Sequence, residues 1–204
     1  MIKQESRPLI LLGGGGHARS TLDVIAACDG MDLNGILDDS LEPGKTSLGV
    51  QIFGPTEMMS EFVDTHHFVV AVGKIGRSVK RRELAERCWA AGGSLRTIIS
   101  PHAYVSPHAV IEEGAAIFHG AVVNAGARIG RNCIINSMAL IEHDSVVGDH
   151  THVSTGALVN GTCHIGNNVF LGSGSVLHHT AIVDDDAVVS AGQIITETAA
   201  ADEH

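Results

Sequence analysis

The stretch LIEHDSVVGDHTHVSTG, residues 140–156, sets His143 beside Asp144 and a second histidine, His152, nine positions on, with no lysine, arginine or aromatic residue among them. Imidazole titrates near neutral pH, so it can take a proton from an attacking nucleophile; a neighbouring carboxylate holds it in one tautomer and stabilises the imidazolium. A second candidate is LLGGGGHA, residues 11–18. A glycine loop between a strand and a helix can cradle an anion with its N–H groups and the helix N-terminus. Gly13, Gly15 and Ala18 fit G-x-G-x-x-A, and Asp38 and Asp39 follow about twenty residues later, the outline of a dinucleotide site. The unit that holds them is only about 100 residues long, too short for a two-half dinucleotide fold.

The chain changes character near Pro101. Before it, PLILL, GILDD and FVVAVG alternate with helix-like stretches, one from about Ala18 to Cys28 and one in SVKRRELAERCWAAGG. Such alternation predicts a small Rossmann-like α/β unit over residues 1–100. After it the helical period vanishes and an aliphatic recurs every sixth residue, from Val105, Ile111 and Ile117 without a slip to Val183, Val189 and Ile195. Four residues after each aliphatic the side chain is usually small, as at Ala109, Ala121, Cys133, Ser145, Cys163 and Ala187. A hexapeptide period predicts a parallel β-helix over residues 101–204, each coil burying its aliphatics on its neighbours. Three faces per coil separate stacked positions by eighteen residues, which gives about five coils. Eighteen residues after His143 comes Gly161, which should stack on the imidazole; taken alone, that glycine reads as a turn residue.

The composition narrows the function classes. With 204 residues and 44% apolar content the chain can bury a core, and a formal charge of -10 gives no basic field for nucleic acid or an anionic membrane. PLILL is too short for a signal core or a span, which makes the cytoplasm the expected compartment. Cys28, Cys88, Cys133 and Cys163 lack zinc or CxxC spacing and read as small reduced hydrophobes. His66, His67, His102, His108, His119, His178 and His179 show no partner pattern, and most of them read as solvated.

The glycine loop, ILDD, VVAVG, NSMALIEHD and GDHTHVSTGA, in this order, resemble the bacterial sialic-acid O-acetyltransferase type of sugar acyltransferase. The likeness spans nearly the whole chain and is greatest to members that N-acetylate 4-amino sugars on nucleotide carriers, as in bacillosamine and perosamine biosynthesis for cell-surface polysaccharides. It implies a left-handed β-helix, a homotrimer with active sites between subunits, acetyl-CoA as cosubstrate in the groove between helices, and no metal. It also implies roles: His143 as general base for direct attack by the sugar amine, with Asp144 orienting it. Gly161 offers an N–H to the thioester oxygen, and His152, facing outward just before inward Val153, contacts the coenzyme with His164. Asn136 supports the base or sugar, while Gly14, Gly15, His17, Asp38, Asp39 and Gly73 contact the nucleotide sugar.

The sequence departs from that family in one respect. From Asn132 onward there is no lysine or arginine, and the end reads TETAAADEH where relatives carry a G-x-P-A-K loop. Backbone N–H groups near Ser173 and Gly174 are the candidates to hold the coenzyme phosphates instead. Three other readings stay open on these residues: an O-acetyltransferase acting on a sugar hydroxyl, a non-catalytic nucleotide-sugar-binding scaffold, and a γ-type carbonic anhydrase, which would need a close histidine pair and an upstream histidine that are not found.

Overall fold

A computed structural model describes residues 7–201; the last three residues of the TETAAADEH segment lie outside them. In the first unit, strands β1 (Leu9–Leu12), β2 (Leu33–Leu37), β4 (Val50–Gly54) and β5 (His67–Val70) pair in parallel, with β3 (Thr46–Ser47) added antiparallel at the edge. The sheet order is β3-β4-β2-β1-β5. The antiparallel edge was not foreseen, and its cause is local. Leu48 and Gly49 both take positive φ, 47° and 83°, which makes the two-residue turn that matches strand twist.

Helix α1 (Gly16–Ala27) and helix α2 (Lys80–Ala90) cover opposite sides of this sheet. From α1, Ala18, Leu22, Val24 and Ile25 pack with Leu9, Leu11 and Val69 of the sheet and also with Ala116, Phe118 and Ile134 of the second unit. The two units therefore share one core.

The second unit is a prism of three parallel sheets, each with six two-residue strands. Face one runs from Ile98–Ile99 through Ile134–Ile135 and His152–Val153 to Val188–Val189. Face two runs from Tyr104–Val105 through Leu140–Ile141 to Ile194–Ile195, and face three from Val110–Ile111 through Val146–Val147 to Thr198–Ala199. The six layers exceed the expected five because the stack already begins at Ile98, ahead of Pro101. All sixteen aliphatics of the column, and the small residues four positions after them, line the interior.

Two features make this regularity possible. From Gly114 to Gly192 every sixth residue has positive φ, including Asn132, Asp144, His150, Asn168 and Asp186. The corner needs a left-handed residue, and glycine, asparagine, aspartate and histidine adopt that conformation at least cost. Small polar residues inside the prism also meet backbone groups that each corner leaves over. Ser145 Oγ donates to Asn160 O at 2.8 Å and accepts from the Cys163 N–H at 3.1 Å, while the Cys133 thiol donates to Gly148 O at 3.0 Å. Burial pushes the Cys133 and Cys88 thiols up to about 12, so neither supplies a thiolate near neutral pH.

Candidate active site

His143 occupies the vertex between faces two and three, two residues beyond inward Ile141. Its Nδ1 lies 3.0 Å from Asp144 Oδ2, with the two side chains 54% and 62% exposed. A carboxylate only accepts, so Nδ1 carries the proton and Nε2 is left with a free lone pair. That Nε2 hangs over Gly161: a Cβ built on the glycine would meet it at 2.6 Å, with Cε1 at 2.7 Å. The glycine thus lies one coil along, as the eighteen-residue spacing predicts, and a side chain there would have to push the ring aside. Among the described residues, the Gly161 N–H donates to no protein acceptor. One coil further, the His179 ring stands 6.2 Å from that of His143. Sequence reading passed over His179, although thirty-six residues, two whole coils, separate it from His143.

A second cluster lies on face one, under the first unit. His152 does point out of the prism, as its place before Val153 requires, but the first unit covers it and leaves it 5% exposed. Its Nδ1 donates to Lys74 O at 2.6 Å, and its Nε2 accepts from Asn136 Nδ2 at 3.1 Å. His17, in the first turn of α1, packs between Phe118 and His152, with ring centroids 5.2 and 6.3 Å away. A Cβ on Gly73 would come within 3.3 Å of the His17 side chain. Burial holds His17 down to about 3 and His152 down to about 4, so both are neutral at pH 7. Among the described residues the buried Nε2 of His17 has no partner. A polar atom in that position marks a place for a ligand atom or water.

Arg81, which sequence reading did not single out, locks this seam. It is fully buried, donating through Nη1 to Val70 O at 2.5 Å and Val72 O at 3.1 Å, and through Nε to Asn132 O at 3.0 Å. The guanidinium ties the end of β5 to a corner of the prism, and desolvation pulls it down to about 10. Only the arrangement of three carbonyls around it reveals the role, and no sequence spacing records that.

In the glycine loop, Gly13 takes φ +102°, and Gly15 and Gly16 face open space. The first turn of α1 has neither a side-chain cap nor an acidic residue, so its N–H groups are free for an anion. Asp38 braces the loop: Oδ2 accepts the Gly14 N–H at 2.7 Å, and Oδ1 accepts those of Ser40 and Leu41. Asp39 accepts the Thr56 N–H at 2.8 Å, which holds its carboxyl below the usual range, and it borders a groove of about 690 Å³ with Lys80 and Arg87.

The remaining candidates spread around the prism. His164 is exposed on face three, while Ser173 and Gly174 are exposed at the vertex between faces one and two. His143, Asp144 and Gly161 share the vertex opposite face one; His152 lies on face one itself and Asn136 at its edge, with His17 and Gly73 of the first unit over them. Among the described residues no group of three or more His, Cys, Asp or Glu is placed to hold a metal ion, and no helix is long and apolar enough to cross a membrane.

Comparison with known proteins agrees with this architecture. Residues 8–88 match the PglD N-terminal domain, and residues 108–143 match the bacterial transferase hexapeptide repeats. The acetyltransferase domain of PglB from Neisseria gonorrhoeae FA1090, solved with acetyl coenzyme A, superposes with a TM-score of 0.88 at 29% identity, covering 95% of this chain and 93% of that one. PerB from Caulobacter crescentus, solved with CoA and GDP-perosamine, gives 0.87 at 28% identity, covering 96% and 91%. WeeI from Acinetobacter baumannii AYE shares the fold at 22% identity, with a TM-score of 0.82 over 95% and 93%. Curated proteins return no match. The fold and these likenesses define a hexapeptide-repeat acyltransferase, its prism a left-handed parallel β-helix. In joining a PglD-type N-terminal domain to such a helix, the chain resembles the sugar acyltransferases among these relatives.

Proposed function

We propose that this protein transfers an acetyl group from acetyl-CoA to the 4-amino group of a nucleotide-linked sugar, with His143 as general base and the amine attacking the thioester directly. The observation that carries this reading is the His143 imidazole, held by Asp144 at Nδ1 and aimed through Nε2 at the bare backbone of Gly161. A thioester seated on the glycine would meet a free N–H for its carbonyl oxygen. The attacking amine would meet a base able to take its proton as the C–N bond forms. Two relatives point the same way: the PglB domain was solved with acetyl coenzyme A, and PerB with CoA and GDP-perosamine.

The nucleotide sugar belongs to the first unit, its anion on the loop of Gly14 and Gly15 and its sugar end towards His17, Gly73 and Asn136. The Asp39 groove, with Lys80 and Arg87, suits the nucleotide. Because these groups stand across the prism from His143, a complete site needs two copies of the chain. Face two supports that assembly. Its outward residues, Tyr104, Val122, Leu140, Leu158, Val176 and Ile194, are all apolar or aromatic, and Tyr104, Leu158 and Ile194 are 55%, 39% and 60% exposed. We assign this face to a homotrimer contact, with Ser173, Gly174 and His164 reaching the coenzyme from more than one copy; His152, 5% exposed with both ring nitrogens bonded within its own chain, does not join them.

Thiol release from acetyl-CoA, measured against UDP- and GDP-linked 4-amino sugars and the matching 4-hydroxy sugars, tests the reading. Release with an amino sugar, abolished by His143→Ala, is the expected result. Release only with hydroxy sugars would make the enzyme an O-acetyltransferase, and none with any acceptor would leave a binding protein.

A further inference from the structure

His143, Gly161 and His179 form one column along the vertex, each a coil from the next. Two coils separate the histidine backbones by about 10 Å, at roughly 4.8 Å per strand. Yet the ring centroids are only 6.2 Å apart, with planes at 43°. The two side chains lean towards each other across the glycine, leaving a slot with an imidazole on either side and a bare backbone as its floor. We propose that His179 is the general acid of the transfer, protonating the departing thiolate while His143 takes the proton of the attacking amine. The assignment rests on the acetyl-transfer reading above and extends it.

A group attacking a thioester on Gly161 approaches from one side of the acyl carbon, and the sulfur leaves on another. As the amine nitrogen bonds to that carbon, its proton passes to His143 Nε2. When the C–S bond breaks, the electron pair goes to sulfur, which takes the proton held by His179. The products are the amide and the free thiol, with His143 protonated and His179 neutral. Both side chains are exposed and recover their starting states by exchange with water, so no other reactant is consumed.

The other titratable groups along the vertex are Glu142, whose carboxylate accepts the His143 backbone N–H at 3.2 Å, and Asp144, bonded to the His143 ring, then His178 beside His179, Glu197 on the last turn and His108 two coils earlier. No lysine or arginine occurs beyond Arg131 to compete for this role.

The test compares two acetyl donors in wild type, His179→Ala and His143→Ala: acetyl-CoA, whose alkyl thiolate benefits from a proton, and S-acetyl thiophenol, whose aryl thiolate leaves without one. His179→Ala should lower kcat/KM with acetyl-CoA by about 10²-fold, the low end for general acid–base catalysis. It should remove the alkaline limb of the pH profile and stay near wild type with the aryl donor. An equal loss with both donors, or no loss with either, overturns the assignment. His143→Ala should be slow with both donors. Full activity there would instead sink the base reading, so the two failures stay distinct.

Discussion

The Nδ1–H of His152 lies 2.6 Å from the carbonyl oxygen of Lys74, a bond that joins a strand of the prism to the loop after β5. Burial in the dry seam between the two units, beside His17, keeps the imidazole neutral, although the bond to the carbonyl by itself favours the protonated ring. Because burial depresses both histidines below their ordinary 6.5, to about 4 and about 3, the unfolded chain binds protons more readily than the folded one as the medium turns acid. The stability they confer is complete above about pH 6.5 and is lost as pH falls towards 4 and then 3. We expect the melting temperature to drop over that window by the equivalent of several kcal/mol, since each unit of pKa depression is worth about 1.4 kcal/mol. His152→Gln, which cannot titrate, should flatten the slope; an unchanged slope would place the acid sensitivity elsewhere.

Gly161→Ala isolates the slot from the fold. The added methyl would sit 2.6 Å from His143 Nε2, and the exposed ring can swing aside without disturbing the core. The glycine has no positive φ, so alanine adds no backbone strain. Thermal stability should stay within about 0.5 kcal/mol, the range of ordinary surface changes. Turnover should fall about 10²-fold, since a displaced base loses alignment. A variant that keeps wild-type turnover would show that acyl transfer does not use this floor.

Asp144 has two duties, separable by choice of replacement. Its φ of 60° suits Asn far better than Ala. Asp144→Asn should fold normally and lose turnover through the wrong tautomer of His143. Asp144→Ala should lose the same activity and about 1 kcal/mol of stability as well, the cost of a left-handed residue other than glycine or asparagine. Equal denaturant midpoints for the two variants would argue against corner strain.

The proposed division of the site between subunits makes complementation measurable. His143→Ala and His17→Ala should each be nearly inactive alone. Mixed within one oligomer, by co-expression or by unfolding and refolding together, they should recover a substantial part of wild-type activity, because some sites then unite intact halves. No recovery in verified mixed oligomers would mean that both residues act from one chain. Leu158→Glu on face two should abolish assembly and turnover together, read by sedimentation and thiol release.

Arg81→Leu should be among the most damaging single changes in the chain. It removes donors from Val70 O, Val72 O and Asn132 O in a dry setting, for a loss of roughly 2–4 kcal/mol by the cost of unpaired buried groups. Chemical denaturation reads this directly.

These residues also show what a sequence conveys. The aliphatic column from Val105 to Ile195 is legible because one phase repeats, and each buried side chain follows from the one before. Gly161 was found under His143 for the same reason: stacking converts a sequence interval into a distance. His179 obeyed that rule as well and was missed because it was sought at one coil and not at two. The seam was out of reach. Which face of the prism the first unit covers depends on α1 packing against Ala116, Phe118 and Ile134, residues whose outward positions carry no periodic mark. So the burial of His152, the clamp at Arg81 and the unpartnered His17 Nε2 emerge only when two regular patterns meet.

The eighteen-residue register has a last implication, for change by insertion. Six added residues ahead of His143 would keep every later aliphatic inside the prism and every corner in its left-handed turn, so folding would hardly register them. They would nonetheless carry His143 a third of the way around, from the vertex opposite the face that the first unit covers to one beside it. Only lengths that complete a whole coil return it to its own side. The scaffold tolerates growth in small steps, and its chemistry survives only in large ones.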